Sequence, residues 1–158
     1  MTGTAKRSWL SVSLGVIVTC SLAQAQETKP QPVRITAQLS KPDSQGRQTL
    51  TVRLALENGW YIYANPVGAS GPIATTVQVS AAVPLREVQV EYPQGKTKTV
   101  AGETYRIYQD EVEIRVVLRR GESQGQLDSS PLTVAVRYQA CNDQICLPPR
   151  TVKLTVGP

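Results

Sequence analysis

From Val33 onward, apolar residues recur at every second position, and this period confines the chain to one class of fold. Val33, Ile35, Ala37 and Leu39 alternate with Arg34, Thr36 and Gln38. Leu50, Val52, Leu54 and Leu56 repeat the pattern, as do Val88, Val90 and Tyr92, then Val112, Ile114, Val116 and Leu118. Leu132, Val134, Val136, Tyr138 and Ala140 follow, and Val152, Leu154 and Val156 close the series. Successive side chains of a strand point to opposite faces, so each run presents one apolar face. Ile73, Thr75, Val77 and Val79 make a weaker run, and Trp60 to Ala64 reads as one continuous aromatic and apolar strand. Turn chemistry separates the runs: Lys41-Pro42-Asp43-Ser44-Gln45-Gly46, Asn58-Gly59, Asn65-Pro66 through Gly71-Pro72, Pro93-Gln94-Gly95, and Gly121 to Ser130. No stretch has helical spacing. About eight short half-buried strands at such intervals predict an all-β antiparallel sandwich or barrel.

The first residues read differently. Lys6 and Arg7 precede the short apolar run Trp9 to Thr19, and Ala23-Gln24-Ala25 fits a small-x-small cleavage site. The run is too short to span a bilayer, so residues 1–25 are expected to be a secretory signal peptide and the mature chain to start at Gln26. An alternative is lipidation at Cys20, because Ile17-Val18-Thr19-Cys20 loosely resembles a lipid-acceptor box. Of the 158 residues, removing 25 leaves 133, one ordinary domain, with residues 26–32 as a flexible lead-in and 33–158 as the folded unit. Export places it in an oxidising compartment, periplasmic or otherwise extracytoplasmic, and no later segment resembles a membrane span.

Composition excludes several chemistries. The chain has no His, so a Ser-His-Asp triad is impossible, and its one Met is the initiator. Without Lys6 and Arg7 the 17 Lys and Arg become 15 against 12 Asp and Glu, a scattered net charge of +3 with one basic doublet, Arg119-Arg120. That is no nucleic-acid footprint. Glu111 and Glu113 share one strand face and read as a solvated face rather than acid–base machinery.

What remains is a pair of cysteines, Cys141 and Cys146, between the last two strands. Asn142-Asp143-Gln144-Ile145 makes a plausible four-residue hairpin loop, and the cysteines would then face each other across the ladder with Cα atoms ~4.5 Å apart, within reach of a disulfide. Pro148 and Pro149 would end regular pairing just beyond. Three readings compete: a structural staple, a redox-active dithiol and a metal pair. A staple closing so short a loop contributes only ~2 kcal/mol. A short exposed loop disulfide is open to attack by an incoming thiolate. A metal pair is short of soft ligands, since zinc takes four. Spacing alone favours the staple. Asp143 would raise a neighbouring thiol's pKa, whereas Arg137 or Arg150 would lower it if either lay close. Trp60, Tyr61 and Tyr63 read as core or as site wall, with Tyr61 and Tyr63 on one face and Trp60 on the other.

The residues around the pair shift this balance. Tyr138-Gln139-Ala140-Cys141 followed by Cys146-Leu147-Pro148-Pro149 resembles the active-site segment of the family of DsbD N-terminal periplasmic domains, with its Tyr-Gln-x-Cys, short loop and Cys-x-Pro-Pro. Asn58-Gly59-Trp60-Tyr61-Ile62-Tyr63 resembles the family's Gly-aromatic-Tyr-aliphatic-Tyr strand, and Ile107-Tyr108-Gln109-Asp110-Glu111-Val112 is similar to the strand after its cap loop. The resemblance covers roughly residues 30–157. It implies an immunoglobulin-like sandwich and thiol–disulfide oxidoreductase function as an electron relay. Cys146 would form the mixed disulfide and Cys141 would resolve it. Tyr61, Tyr63, Tyr105, Tyr138, Asp143 and Pro148 would form the surrounding wall. No cofactor or metal is expected beyond the cysteine pair. The implied partners are thioredoxin-fold exported proteins, of the disulfide isomerase or cytochrome c maturation type. The implied electron donor is a membrane protein, on a separate chain because this one stops at Pro158. The loop is one residue shorter than in the best-known enterobacterial form. The chain also contains no Phe, so that form's aromatic cap is not reproduced in kind; the cap region falls near Lys98 to Arg106, with Tyr105 its one aromatic. The alternative is a non-enzymatic protein-binding module with the disulfide as a clip.

Overall fold

A computed structural model of the chain describes residues 31–100 and 102–157, without the side chain of Val100. The expected signal peptide, Cys20 and most of the lead-in lie outside the described residues. Within them the chain is all-β, with no helix. The strands are β1 (Val33–Leu39), β2 (Arg47–Leu56), β3 (Tyr61–Tyr63), β4 (Thr76–Ser80), β5 (Glu87–Glu91), β6 (Lys96–Val100), β7 (Glu103–Gln109), β8 (Glu111–Arg119), β9 (Glu122–Ser123), β10 (Gln126–Leu127), β11 (Leu132–Tyr138), β12 (Ala140–Cys141) and β13 (Arg150–Val156).

All pairings are antiparallel. One sheet runs β1-β2-β8-β5 and a second runs β13-β11-β4. The alternation dictates how they pack. Leu50, Val52 and Leu54 of β2 and Ile114, Val116 and Leu118 of β8 project from one sheet, and Leu132, Val134 and Val136 of β11 from the other. All nine are fully buried in a single cluster, the interior of an immunoglobulin-like sandwich. The outer faces are polar: Glu111 and Glu113 are exposed and pair with Arg53 opposite, as a solvated face should.

A third sheet, β12-β3-β7-β6, closes one end of the sandwich. Two strands reach it by turning a corner. β7 passes into β8 at Asp110, whose φ of 60° breaks the ladder, and its carbonyl accepts from the Leu56 amide at 2.7 Å. β11 passes into β12 at Gln139. The pleat then gives this sheet two different faces. Ile62, Ala64, Tyr108 and Ala140 complete the main core, whereas Tyr61, Tyr63, Ile107 and Cys141 build a second cluster with Val67.

Several local expectations shift. The strand expected from Trp60 to Ala64 shortens to Tyr61–Tyr63. Trp60 is held by a turn around Asn58-Gly59, where its amide donates to the Glu57 carbonyl at 3.1 Å and Gly59 has a φ of +80° that glycine adopts at no steric cost. Ile73 and Thr75 fall outside β4. They belong to a loop over 64–75 that folds back on the third sheet, anchored where the Thr75 hydroxyl donates to the Tyr63 carbonyl at 2.7 Å. The cap region expected at Lys98 to Arg106 is most of a regular hairpin, β6–β7.

Candidate functional site

The second cluster lies under the cysteine loop. After β12 the chain reverses over Asn142-Asp143-Gln144-Ile145 and returns with Cys146 bridged to Cys141. The reversal is built by Asn142. Its side-chain oxygen accepts from the amides of Gln144 at 2.9 Å and Ile145 at 2.8 Å, and its own amide donates to the Ile145 carbonyl at 2.9 Å. The Leu147 amide then closes the hairpin on the Ala140 carbonyl at 2.8 Å. The two cysteines form a disulfide with their Cα atoms 4.0 Å apart, facing each other as the loop length predicts.

The two sulfur-bearing residues differ sharply in access. Cys141 is 0 % exposed, paired with β3 and packed within the second cluster, whereas Cys146 is exposed at the surface. Ile145, beside it, is 51 % exposed. A disulfide with one buried and one open end can be attacked from outside at the open sulfur, leaving the buried sulfur as the departing thiolate.

Cys141 pairs with Tyr61 across the ladder, and its sulfur lies 3.9 Å from the Tyr63 hydroxyl. Tyr61 and Tyr63 meet edge to face at 5.8 Å between ring centres, and Tyr105 meets Tyr63 in the same way at 5.6 Å. Burial, with the neighbouring Tyr61 phenol, holds the Tyr63 hydroxyl above its ordinary range. Tyr105 is pushed up to about 12, first by its hydrogen bond to the Glu103 carboxylate. Both phenols stay neutral around the cysteines at physiological pH.

Tyr138 and Pro148 stand elsewhere. The pleat that points Cys141 at the tyrosine cluster points Tyr138 and Ala140 into the main core. Tyr138 lines a groove of about 540 Å³ with Leu147, Pro148 and Pro149, on the opposite side of the β11–β12 segment. Asp143 is at the loop tip, where it receives the ammonium of Lys98 at 2.9 Å.

Sequence reading missed Lys98. It sits on β6 opposite Tyr105, and its Nζ also lies 4.9 Å from the centre of the Tyr61 ring. No local signal marks it, because 45 residues separate it from Asp143 and the β6–β7 register alone brings it there. Val67 and Ala74, supplied by the 64–75 loop, complete the cluster's wall. Among the described residues no group of three or more His, Cys, Asp and Glu is arranged to hold a metal ion.

Comparison with known proteins agrees with this geometry. A family model described as the N-terminal part of thiol:disulfide interchange protein DsbD matches residues 27–158. No curated protein matches the sequence. Among solved structures, the N-terminal periplasmic domain of ScsB from Proteus mirabilis superposes with a TM-score of 0.55 at 22% identity, covering 80% of this chain and 47% of that one. The chain thus spans about half the length of that structure, and the likeness supports the fold. The yeast GGA1 GAE domain, at 10% identity over 84% of this chain and 96% of that one, reaches a TM-score of 0.42 and carries no weight here.

Proposed function

The chain belongs to the family of DsbD N-terminal domains, and on that premise we propose that its Cys141–Cys146 pair is the redox centre of an exported thiol–disulfide interchange module that passes electrons to thioredoxin-fold partners. The observation that carries this reading is the asymmetry of the pair: an exposed Cys146 bonded to a fully buried Cys141, over a wall of neutral phenols.

In the reduced state the Cys146 thiolate attacks a sulfur of the partner's disulfide. A Cys146–partner disulfide forms and one partner thiolate leaves. The Cys141 thiol, once its proton is lost, attacks the Cys146 sulfur, reforms the Cys141–Cys146 bond and releases the second partner thiolate. Two electrons and two protons pass to the partner, which ends as a dithiol. The cysteine pair supplies all the redox chemistry, so no cofactor takes part. Regeneration runs in reverse, with a membrane-embedded dithiol donor attacking the exposed Cys146 sulfur. Family membership and the periplasmic ScsB domain of like fold support a periplasmic location. Among the described residues no helix is long and apolar enough to cross a membrane.

Trapping distinguishes the two cysteines. Reduced Cys141→Ser, mixed with an oxidised thioredoxin-fold protein, is expected to accumulate a mixed disulfide through Cys146. Cys146→Ser is expected to accumulate none. Trapping by neither variant would leave the disulfide as a structural clip in a binding module.

A further inference from the structure

The β6–β7 hairpin places one cation beside the cysteine loop. The Nζ of Lys98 lies 2.9 Å from an Asp143 carboxylate oxygen and 4.9 Å above the centre of the Tyr61 ring. Tyr61 is the ladder partner of Cys141, and Asp143 lies inside the loop that the disulfide closes. The two halves of the pair are held unequally. The Lys98 side chain is 25 % exposed with its ammonium over the Tyr61 ring, whereas the Asp143 side chain is 83 % exposed at the loop tip. The ammonium thus has a second contact on the sheet, the Tyr61 ring, besides the carboxylate.

We propose that Lys98 sets the reactivity of Cys146: its ammonium favours the thiolate of the reduced pair, against the opposing charge of Asp143. The inference rests on the reading of this pair as a redox centre and adds a residue that tunes it. The remaining ionisable groups at the cluster are the phenols of Tyr61 and Tyr63 from β3 and of Tyr105 from β7, with Glu103 on the Tyr105 hydroxyl. Arg150 stands on the other side, in the groove with Tyr138. Among these groups Lys98 is the cation that an ion pair ties to the loop, and it stands against two carboxylates, Asp143 and Glu103. A positive charge near a thiol lowers its pKa, and a negative charge raises it.

Two substitutions break the same ion pair and leave opposite charges behind. If the pair only tethers the hairpin, Lys98→Met and Asp143→Asn act in the same direction. If Lys98 acts by charge, they act in opposite directions. The readout is the alkylation rate of Cys146 in the reduced protein, using neutral iodoacetamide and assigning the modified cysteine by peptide mass. At pH 7 Lys98→Met is expected to react about threefold more slowly than the unaltered protein and Asp143→Asn about threefold faster. Lys98→Arg is expected to keep the unaltered rate. The differences should shrink in 1 M salt, where the screening length falls to about 3 Å. They should also close near pH 10, where ionisation is complete in all the proteins. Any pattern other than a slower Lys98→Met with a faster Asp143→Asn overturns the inference. Failure to exchange with a thioredoxin-fold protein, with the opposite-sign pattern intact, overturns the proposed function and leaves this inference standing.

Discussion

Cys141 and Cys146 share one bond, yet their neighbours assign them different parts. Cys141 has Tyr61 across the ladder and the Tyr63 hydroxyl 3.9 Å from its sulfur, and is closed to solvent. Cys146 ends a loop that presents its backbone and Ile145 outward. The bond contributes little to folding, because closing so short a loop removes few unfolded conformations. Cys146→Ser is therefore expected to cost about 2 kcal/mol in urea unfolding while abolishing exchange. Ile145 is an exposed apolar side chain next to Cys146 in the chain. Ile145→Ser is expected to slow exchange with a thioredoxin-fold protein about fivefold through lost apolar contact, and to leave exchange with glutathione unchanged. Equal slowing of both reactions would place Ile145 in loop folding instead. The cysteine pair, its hairpin loop and the shared face of Tyr61 and Tyr63 were legible from spacing and alternation alone. The burial difference between the cysteines was not, because it depends on tertiary packing: Cys141 joins the cluster on one face of the third sheet, whereas Cys146 follows the loop back to the surface.

At the scale of elements, legibility follows how many faces of a strand are buried. β1, β2, β8, β11 and β13 each have one inward face, so their sequences alternate openly. β3 is covered on both faces, and Tyr61, Ile62 and Tyr63 are all buried, so alternation vanishes there. β7 carries adjacent buried residues, Ile107 and Tyr108, that belong to different clusters. β6 offers Lys96, Thr97, Lys98 and Thr99, with no apolar period at all, and is defined only by its pairing with β7. The hairpin that places Lys98 is seated by Gly95. A Cβ there would lie 2.6 Å from the Ala64 Cβ and 3.0 Å from the Ile107 carbonyl oxygen, closer than packed atoms tolerate. Gly95→Ala is expected to cost about 1–3 kcal/mol by overpacking. Displacing the hairpin should also expose Tyr61 and the Lys98–Asp143 contact, read as faster hydrogen exchange over 96–109. A variant with wild-type stability and exchange would show that the hairpin tolerates the shift.

At the scale of the molecule, the sandwich is held by its apolar interior, with polar links at its far end. There Arg120 donates to the Gln48 side chain at 2.9 Å and to the Ser130 carbonyl at 2.6 Å, tying β2 to the loop before β11. Ile114→Ala, at a fully buried position between the sheets, is expected to cost about 2–5 kcal/mol in urea unfolding. Such a loss should leave the disulfide chemistry of the remaining folded protein unaltered, since Ile114 belongs to the other cluster. The tyrosines set an alkaline limit. Burial is the largest cause that raises the phenols of Tyr63, Tyr108 and Tyr138 in the folded chain. A raised folded value means that the folded state holds its proton more tightly than the unfolded state. That contribution is complete below the unfolded value near 10 and is lost as pH climbs through the raised folded values. The urea midpoint is expected to stay level from pH 7 to 9.5 and to fall above 10. Tyr108→Phe should reduce that fall, and an unchanged slope would assign it to other groups.

Whether this sandwich carries a disulfide built for exchange is decided by the reduction potential of the Cys141–Cys146 bond. Thiol alkylation and intact mass across glutathione buffers measure it. A value of about −200 to −250 mV is expected, with rapid exchange against a thioredoxin-fold protein. A value below about −300 mV with slow exchange is that of a structural disulfide, and would contradict it.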